Sequence, residues 1–144
     1  MPSPKPEFVP QKILMVDDNR LGLSARRSLL EELGYQITPC HSAEEALERF
    51  NDGFDLVVTD YRMAKMNGVE LIGRLKQARP DVPAILISGF VDALGLTEAS
   101  TGADVVIQKS NNEVAHLVRA VNRLLKKKPA RKAGMVPAAR RKPS

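Results

Sequence analysis

Asp17-Asp18, Asp60, Ser88-Gly89 and Lys109 each follow a short apolar run: Ile13-Leu14-Met15-Val16, Leu56-Val57-Val58-Thr59, Ile85-Leu86-Ile87 and Val105-Val106-Ile107-Gln108. Three carboxylates and one ammonium sum to −2, which a divalent cation neutralises. Hard oxygen donors with no nearby His and no Cys cluster select Mg2+ or Mn2+ over zinc. The chemistry that suits this set is phosphoryl transfer, where catalysis is mostly positioning and charge neutralisation. A carboxylate can itself be the nucleophile and form an acyl phosphate. On this reading Asp60 is the nucleophile and Asp17 and Asp18 hold the metal. Ser88 and the Gly89 amide approach the phosphoryl oxygens, and Lys109 supplies the balancing positive charge. One strand-end Asp would be weak evidence, because Asp often caps a turn; the ordered set carries the signal. Repulsion among three gathered carboxylates should also destabilise the metal-free fold.

These groups meet only if the four runs are parallel strands sharing one edge. Strands of near-continuous Val, Ile and Leu suit a sheet buried on both faces. Amphipathic helical patterns alternate with them. Leu21, Ala25, Leu29 and Leu33 form a stripe ending at Gly34, and Ala43, Ala46, Leu47 and Phe50 form a second, opened by Ser42-Ala43-Glu44-Glu45 as a capping box. Leu71, Ile72 and Leu75 follow Asn67 as a cap, and Val114, Leu117, Val118, Val121 and Leu125 follow the box Ser110-Asn111-Asn112-Glu113. Between Val91 and Gly102, Gly95 interrupts a poorly spaced pattern and predicts a short or mobile helix. Pro39, in the run Gln36–Cys40, belongs on an edge strand. The whole predicts an α/β, flavodoxin-like, doubly wound five-stranded parallel sheet in the order 2-1-3-4-5 with five helices. In such sheets the ligand site lies at the carboxyl ends of the strands, near the switch between strands 1 and 3.

A chain of 144 residues suits one domain. The net charge of +5 divides unevenly. Residues 126–144 carry eight basic residues and no acid, whereas residues 1–125 hold 14 basic against 17 acidic residues, a net of −3. We therefore expect a flexible N-terminal segment over 1–11, a domain over 12–125 and a basic, disordered tail over 126–144. The tail could give salt-dependent, non-specific nucleic-acid contact, but it has no aromatic to stack on bases; a solubilising tail is the favoured reading. No apolar run is long enough to span a bilayer and the Pro-rich start is not a secretory signal. The lone Cys40 suits a plain buried thiol in a reducing cytoplasm.

In Lys12–Asn19, Thr59-Asp60-Tyr61-Arg62-Met63 with Gly68, Ser88-Gly89, and Gly102-Ala103-Asp104 leading to Lys109, the chain resembles the receiver domain of bacterial two-component response regulators. The resemblance covers residues 12–125. It implies that Asp60 accepts a phosphoryl group from a phosphohistidine of a sensor histidine kinase or phosphotransfer protein. It implies Mg2+ held by Asp18, Asp60 and the backbone carbonyl of Arg62, with Asp17 acting through water. Ser88 would then be drawn toward the phosphate, repacking the face of the fourth and fifth helices and the fifth strand toward an output protein.

Three positions depart from the family pattern. Val106 stands where an aromatic residue is usual and has no long lever. Ser110 replaces the proline after the lysine, and a non-proline cis bond costs roughly 3 kcal/mol, so a trans bond is expected. Ala64 replaces a proline after Met63. These changes leave phosphorylation chemistry intact and bear on signal output; they also motivate an alternative, a degenerate receiver that binds partners without phosphorylation. A haloacid-dehalogenase-type phosphohydrolase is the enzymatic alternative. It wants a second Asp two residues after the nucleophile, where this chain has Arg62. That arginine either leans over the phosphate or is an ordinary solvated loop residue. His41 and His116 are isolated and lack ligand spacing.

Overall fold

Alternation along the strands decides which helices cover which face. The structure, a computed structural model, describes residues 10–51 and 53–126. Its strands are β1 (Lys12–Val16), β2 (Gln36–Cys40), β3 (Leu56–Asp60), β4 (Ala84–Ser88) and β5 (Val105–Gln108), all parallel in the order β2-β1-β3-β4-β5. Ile13 and Met15 of β1 face a core with Leu23, Leu30, Leu117 and Val121. Leu14 and Val16 face the opposite core, with Ala43, Ala46, Leu71 and Ile72. The helices α1 (Arg20–Glu32) and α6 (Glu113–Lys126) therefore cover one face, and α2 (Ala43–Arg49) and α3 (Gly68–Ala78) the other. Pro39 sits on edge strand β2, opposite Met15, as its missing N–H requires.

Among the described residues six helices form rather than five. The stretch after β4 divides into two short helices, α4 (Val91–Leu94) and α5 (Glu98–Thr101). Gly95 takes a left-handed conformation with φ 63° and ends the first, and Thr97 opens the second in a capping box with Ser100. The glutamate expected to close the box before α6 does something else. Glu113 directs its carboxylate to Arg26, and its N–H donates to the Ser110 carbonyl. At α2 the Ser42 hydroxyl accepts from the Glu45 N–H as expected, but Glu45 reaches back one residue further, to the His41 N–H.

The predicted stripe on α1 is also replaced. Leu21 is 84% exposed and Leu33 50%, while Leu23, Arg26 and Leu30 are buried. A spacing of four drifts about 40° per step on a helix of 3.6 residues per turn, so a four-spaced set leaves the core face. On α6, Val114 is likewise exposed and Ala120 joins the buried stripe.

Gln11, assigned by sequence to the N-terminal segment, extends the ladder by accepting from the Gln36 N–H, and its amide donates to the Leu125 carbonyl. The basic tail beyond Lys126, with its nucleic-acid reading, lies outside the described residues. Among the described residues no helix is long and apolar enough to cross a membrane.

Candidate functional site

The strand ends deliver their side chains as the topology requires. β1 passes into Asp17, whose N–H continues the ladder to the Cys40 carbonyl. Its carboxylate is 1% exposed and fully engaged. Oδ1 accepts from the Asn19 N–H at 2.9 Å, and Oδ2 pairs with Arg26 Nη1 at 2.6 Å. Asn19 then caps α1 by accepting from the Leu21 and Gly22 N–H groups. Asp18, between them, is exposed.

Asp60 ends the central strand and is 5% exposed. The chain beyond it is tied down on both sides: the Tyr61 N–H donates to the Ile87 carbonyl, and the Gly68 N–H donates to the Tyr61 carbonyl. Lys109 Nζ lies 2.8 Å from Asp60 Oδ1. That ammonium meets the charge on the buried Oδ1, which has no other donor among the described residues. Burial pushes the Asp60 carboxyl above its ordinary pKa, Lys109 pulls it down, and the Asp17 charge pushes it up again; the net direction is up.

Ser88 ends β4 with its hydroxyl buried and accepting from the Phe90 N–H. Its carbonyl accepts from the Lys109 N–H, which joins β4 to β5 at the site. Arg62 is an exposed residue whose guanidinium lies over the Phe90 ring, 4.5 Å from the centroid.

A cavity of about 310 Å³ opens at these strand ends. Asp18, Asp60, Arg62, Ser88, Gly89 and Lys109 all line it, with Asn19 and Phe90. Of the residues expected to act together, Asp17 alone stays beneath it, held by Arg26. The expected crowding of three carboxylates is reduced: Arg26 pairs with Asp17, Lys109 faces Asp60 and Asp18 is exposed, while Asp17 still repels the charged form of Asp60. Among the described residues no group of three or more His, Cys, Asp or Glu side chains could hold a metal. Two carboxylates, a backbone carbonyl and water remain, which suits Mg2+, an ion that keeps several of its waters. Beyond the Lys109 ammonium no donor reaches the buried Asp60 Oδ1, so the Asp60 carboxylate keeps lone pairs for a cation entering from the cavity.

The family model for the response regulator receiver domain matches residues 13–122. The chain belongs to that family. Its relatives include the transcriptional regulatory protein CpxR of Escherichia coli, 35% identical over 118 residues, covering 78% of this chain and 49% of CpxR. The chain thus spans about half the length of that relative. The response regulator protein TrrA from Thermotoga maritima, solved in complex with Mg(2+)-BeF, is 31% identical with a TM-score of 0.72, covering 80% of this chain and 99% of that one. A response regulator receiver domain protein from Clostridium thermocellum is 27% identical with a TM-score of 0.73, covering 82% and 96%.

Val106 and Ser110, the two positions expected to bear on signal output, lie beside the site. Val106 lines a cleft of about 770 Å³ between β5 and α6, together with Val91 and Gln108. Ser110 is exposed and accepts from the Asn112 N–H; no cis peptide occurs among the described residues. Gln108, which sequence reading took as part of an apolar run, bridges β5 to the loop after Ser88. Its amide donates to the Gly89 carbonyl and its oxygen accepts from the Val91 N–H. Arg26, Glu113, Phe90 and Gln108 were all missed by sequence reading. For Arg26 and Gln108 a signal existed: each is a polar residue at a position that the periodicity of its element assigns to packing.

Proposed function

We propose that this receiver is a phosphoacceptor in a two-component phosphorelay. The observation that carries the reading is the Asp60 carboxylate at the end of the central strand, buried beside Lys109 and open to a cavity that Ser88 and Asp18 also line. Asp60 attacks the phosphorus of a phosphohistidine on a sensor histidine kinase or phosphotransfer protein. An acyl phosphate forms on its carboxylate, and the phosphorus–nitrogen bond to imidazole breaks. Lys109 neutralises the growing charge on the phosphoryl oxygens, and the Ser88 hydroxyl and Gly89 amide donate to them.

Asp18, Asp60 and the Arg62 carbonyl would hold Mg2+, with Asp17 behind them acting through water; the same hard oxygens would accept Mn2+. Bound there, the cation supplies charge neutralisation for the transfer. In-line attack by water later removes the phosphate. Arg62 and Phe90, stacked at the mouth of the cavity, restrict that water's approach. Such self-catalysed steps serve a signalling module rather than turnover of a substrate, and we place them in the cytoplasm, with output through a protein partner.

The test is incubation with a small phosphodonor, with and without Mg2+, followed by intact-protein mass measurement. One Mg2+-dependent phosphoryl adduct, absent in Asp60→Asn, is expected. No adduct despite bound Mg2+ would move the chain to the degenerate reading that Val106 and Ser110 suggest. Repeated turnover of a phosphomonoester would instead point to the dehalogenase-type alternative, against which family membership and Arg62 both stand.

A further inference from the structure

Arg26 lies under the phosphoacceptor cavity, between two carboxylates that belong to different parts of the fold. Its Nη1 is 2.6 Å from Asp17 Oδ2, at the end of β1, and its Nε is 2.6 Å from Glu113 Oε2, in the first turn of α6. All three side chains are largely buried, with side-chain exposures of 9% for Arg26, 1% for Asp17 and 16% for Glu113. The guanidinium is rigid and planar, so it holds both partners in a fixed relation. Burial opposes its charge, and Glu113 followed by Asp17 outweighs that opposition. Both Asp17 oxygens are engaged, Oδ1 by the Asn19 N–H and Oδ2 by Arg26. A cation that draws on Asp17 therefore competes with the Arg26 charge for it.

We infer that Arg26 is a positioning residue that occupies Asp17 in the metal-free state and passes toward Glu113 when a divalent cation takes up the Asp17 charge, linking cation binding to the first turn of α6. This rests on the phosphoacceptor reading, in which Asp17 serves the cation through water. Arg26 thereby weakens cation binding, because its own positive charge must be displaced or shared. Glu113 opposes that effect by offering the guanidinium a second anchor. The linkage is reciprocal: a contact that draws Glu113 and α6 away from Arg26 returns the guanidinium to Asp17 and lowers cation affinity. Arg26 and Glu113 thus act with opposite sign on one binding constant. The bare charges alone would give the same two signs, so the deciding readout is the Mg2+-dependent shift of the α6 amides, which a field effect alone would leave in Arg26→Met.

The experiment is calorimetric titration of the full chain with MgCl2, for wild type, Arg26→Met, Arg26→Lys and Glu113→Gln. Arg26→Met should bind Mg2+ about tenfold more tightly, within the usual 5- to 150-fold range of such couplings. Arg26→Lys should fall back toward wild type, and Glu113→Gln should bind several-fold more weakly. In amide NMR spectra, Mg2+ should shift Val114 and Ala115 in wild type and leave them in place in Arg26→Met. If wild type binds Mg2+ and both Arg26→Met and Glu113→Gln match its affinity, the inference is overturned while the phosphoacceptor reading stands. If no variant, wild type included, binds Mg2+, both fall. Should Arg26→Met not fold, Glu113→Gln decides alone: affinity equal to or above wild type overturns the inference.

Discussion

Two glycines on α3 give opposite predictions for the same substitution. A Cβ on Gly68 would run into the Asp60 carbonyl oxygen and would stand 2.8 Å from Leu86 Cδ1 and 3.1 Å from the Asp60 carbonyl carbon. No side-chain rotation relieves a contact with backbone. The first turn of α3 would have to retreat from the end of β3, although the Gly68 N–H is tied to the Tyr61 carbonyl at 2.8 Å and Asn67 and Glu70 cap the helix reciprocally. Overpacking of this kind costs about 1–3 kcal/mol, and a backbone clash belongs at the upper end. Alanine returns at most about 1 kcal/mol in helix propensity, leaving Gly68→Ala destabilised by about 2 kcal/mol. Gly73, on the exposed side of the same helix, has nothing within 4 Å of its virtual Cβ. Gly73→Ala should therefore gain about 1 kcal/mol. At about 4 °C per kcal/mol for a domain of this size, thermal unfolding followed by circular dichroism should show Tm near 8 °C lower for the first variant and 4 °C higher for the second. Because the clash falls on the nucleophile's own carbonyl, Gly68→Ala should also slow Asp60 phosphorylation, while Gly73→Ala leaves the rate unchanged. A Gly68→Ala protein as stable as wild type would show that α3 does not press on the end of β3, and the account of how Asp60 is held would fail.

Three further outcomes follow from the site. Asp60 has its carboxyl pKa raised by burial, so the fold favours the protonated form; that contribution is complete below the ordinary value and is lost as pH rises through the raised one. Asp60→Asn in chelated buffer should thus be more stable than wild type at pH 7, by about 1 kcal/mol, with the gap closing toward pH 3; a gap that widens on acidification would contradict the sign. Arg62→Ala removes the stack on Phe90, worth about 0.5–1 kcal/mol at an exposed site, so the acyl phosphate should decay about two- to fivefold faster. Equal half-lives, read from loss of the phosphoryl adduct over time, would refute shielding. Cys40 is fully buried with its thiol pushed up to about 12, first by burial and then by Glu45. A disulfide reagent at pH 8 should label it only at the rate of unfolding, and rapid labelling in native buffer would show the edge of β2 to be open.

The strands were legible in the sequence because a sheet buried on both faces demands uninterrupted apolar runs, and their polar ends mark where burial stops. Asn67 was legible as a cap because its partner Glu70 lies three residues away and the contact is local. What escaped was long-range or hidden by spacing. The stripe Leu21, Ala25, Leu29 and Leu33 looks helical, yet Leu23, Arg26 and Leu30 have the spacing of three and four that keeps one face inward. Only hydrophobicity argued against the second set, because a charged residue stands in its middle. Glu113, 87 positions from Arg26, matched a local capping pattern so well that nothing in its neighbourhood pointed elsewhere.

The charge count of the site survives this omission, while the distribution of charge does not. Asp17, Asp18, Asp60 and Lys109 sum to −2, and Arg26 with Glu113 adds one charge of each sign, leaving the total unchanged. Position decides what that total can do. Arg26 takes Asp17 out of the set of free ligands, and Asp18 and Asp60 remain to face the cavity. The negative charge that faces the cavity is then carried by Asp18 and by Asp60, the carboxylate proposed as nucleophile, whose buried Oδ1 is met by Lys109. On the inferred coupling through Asp17 and Arg26, binding at the cavity would reach α6 by a route that does not pass through Val106.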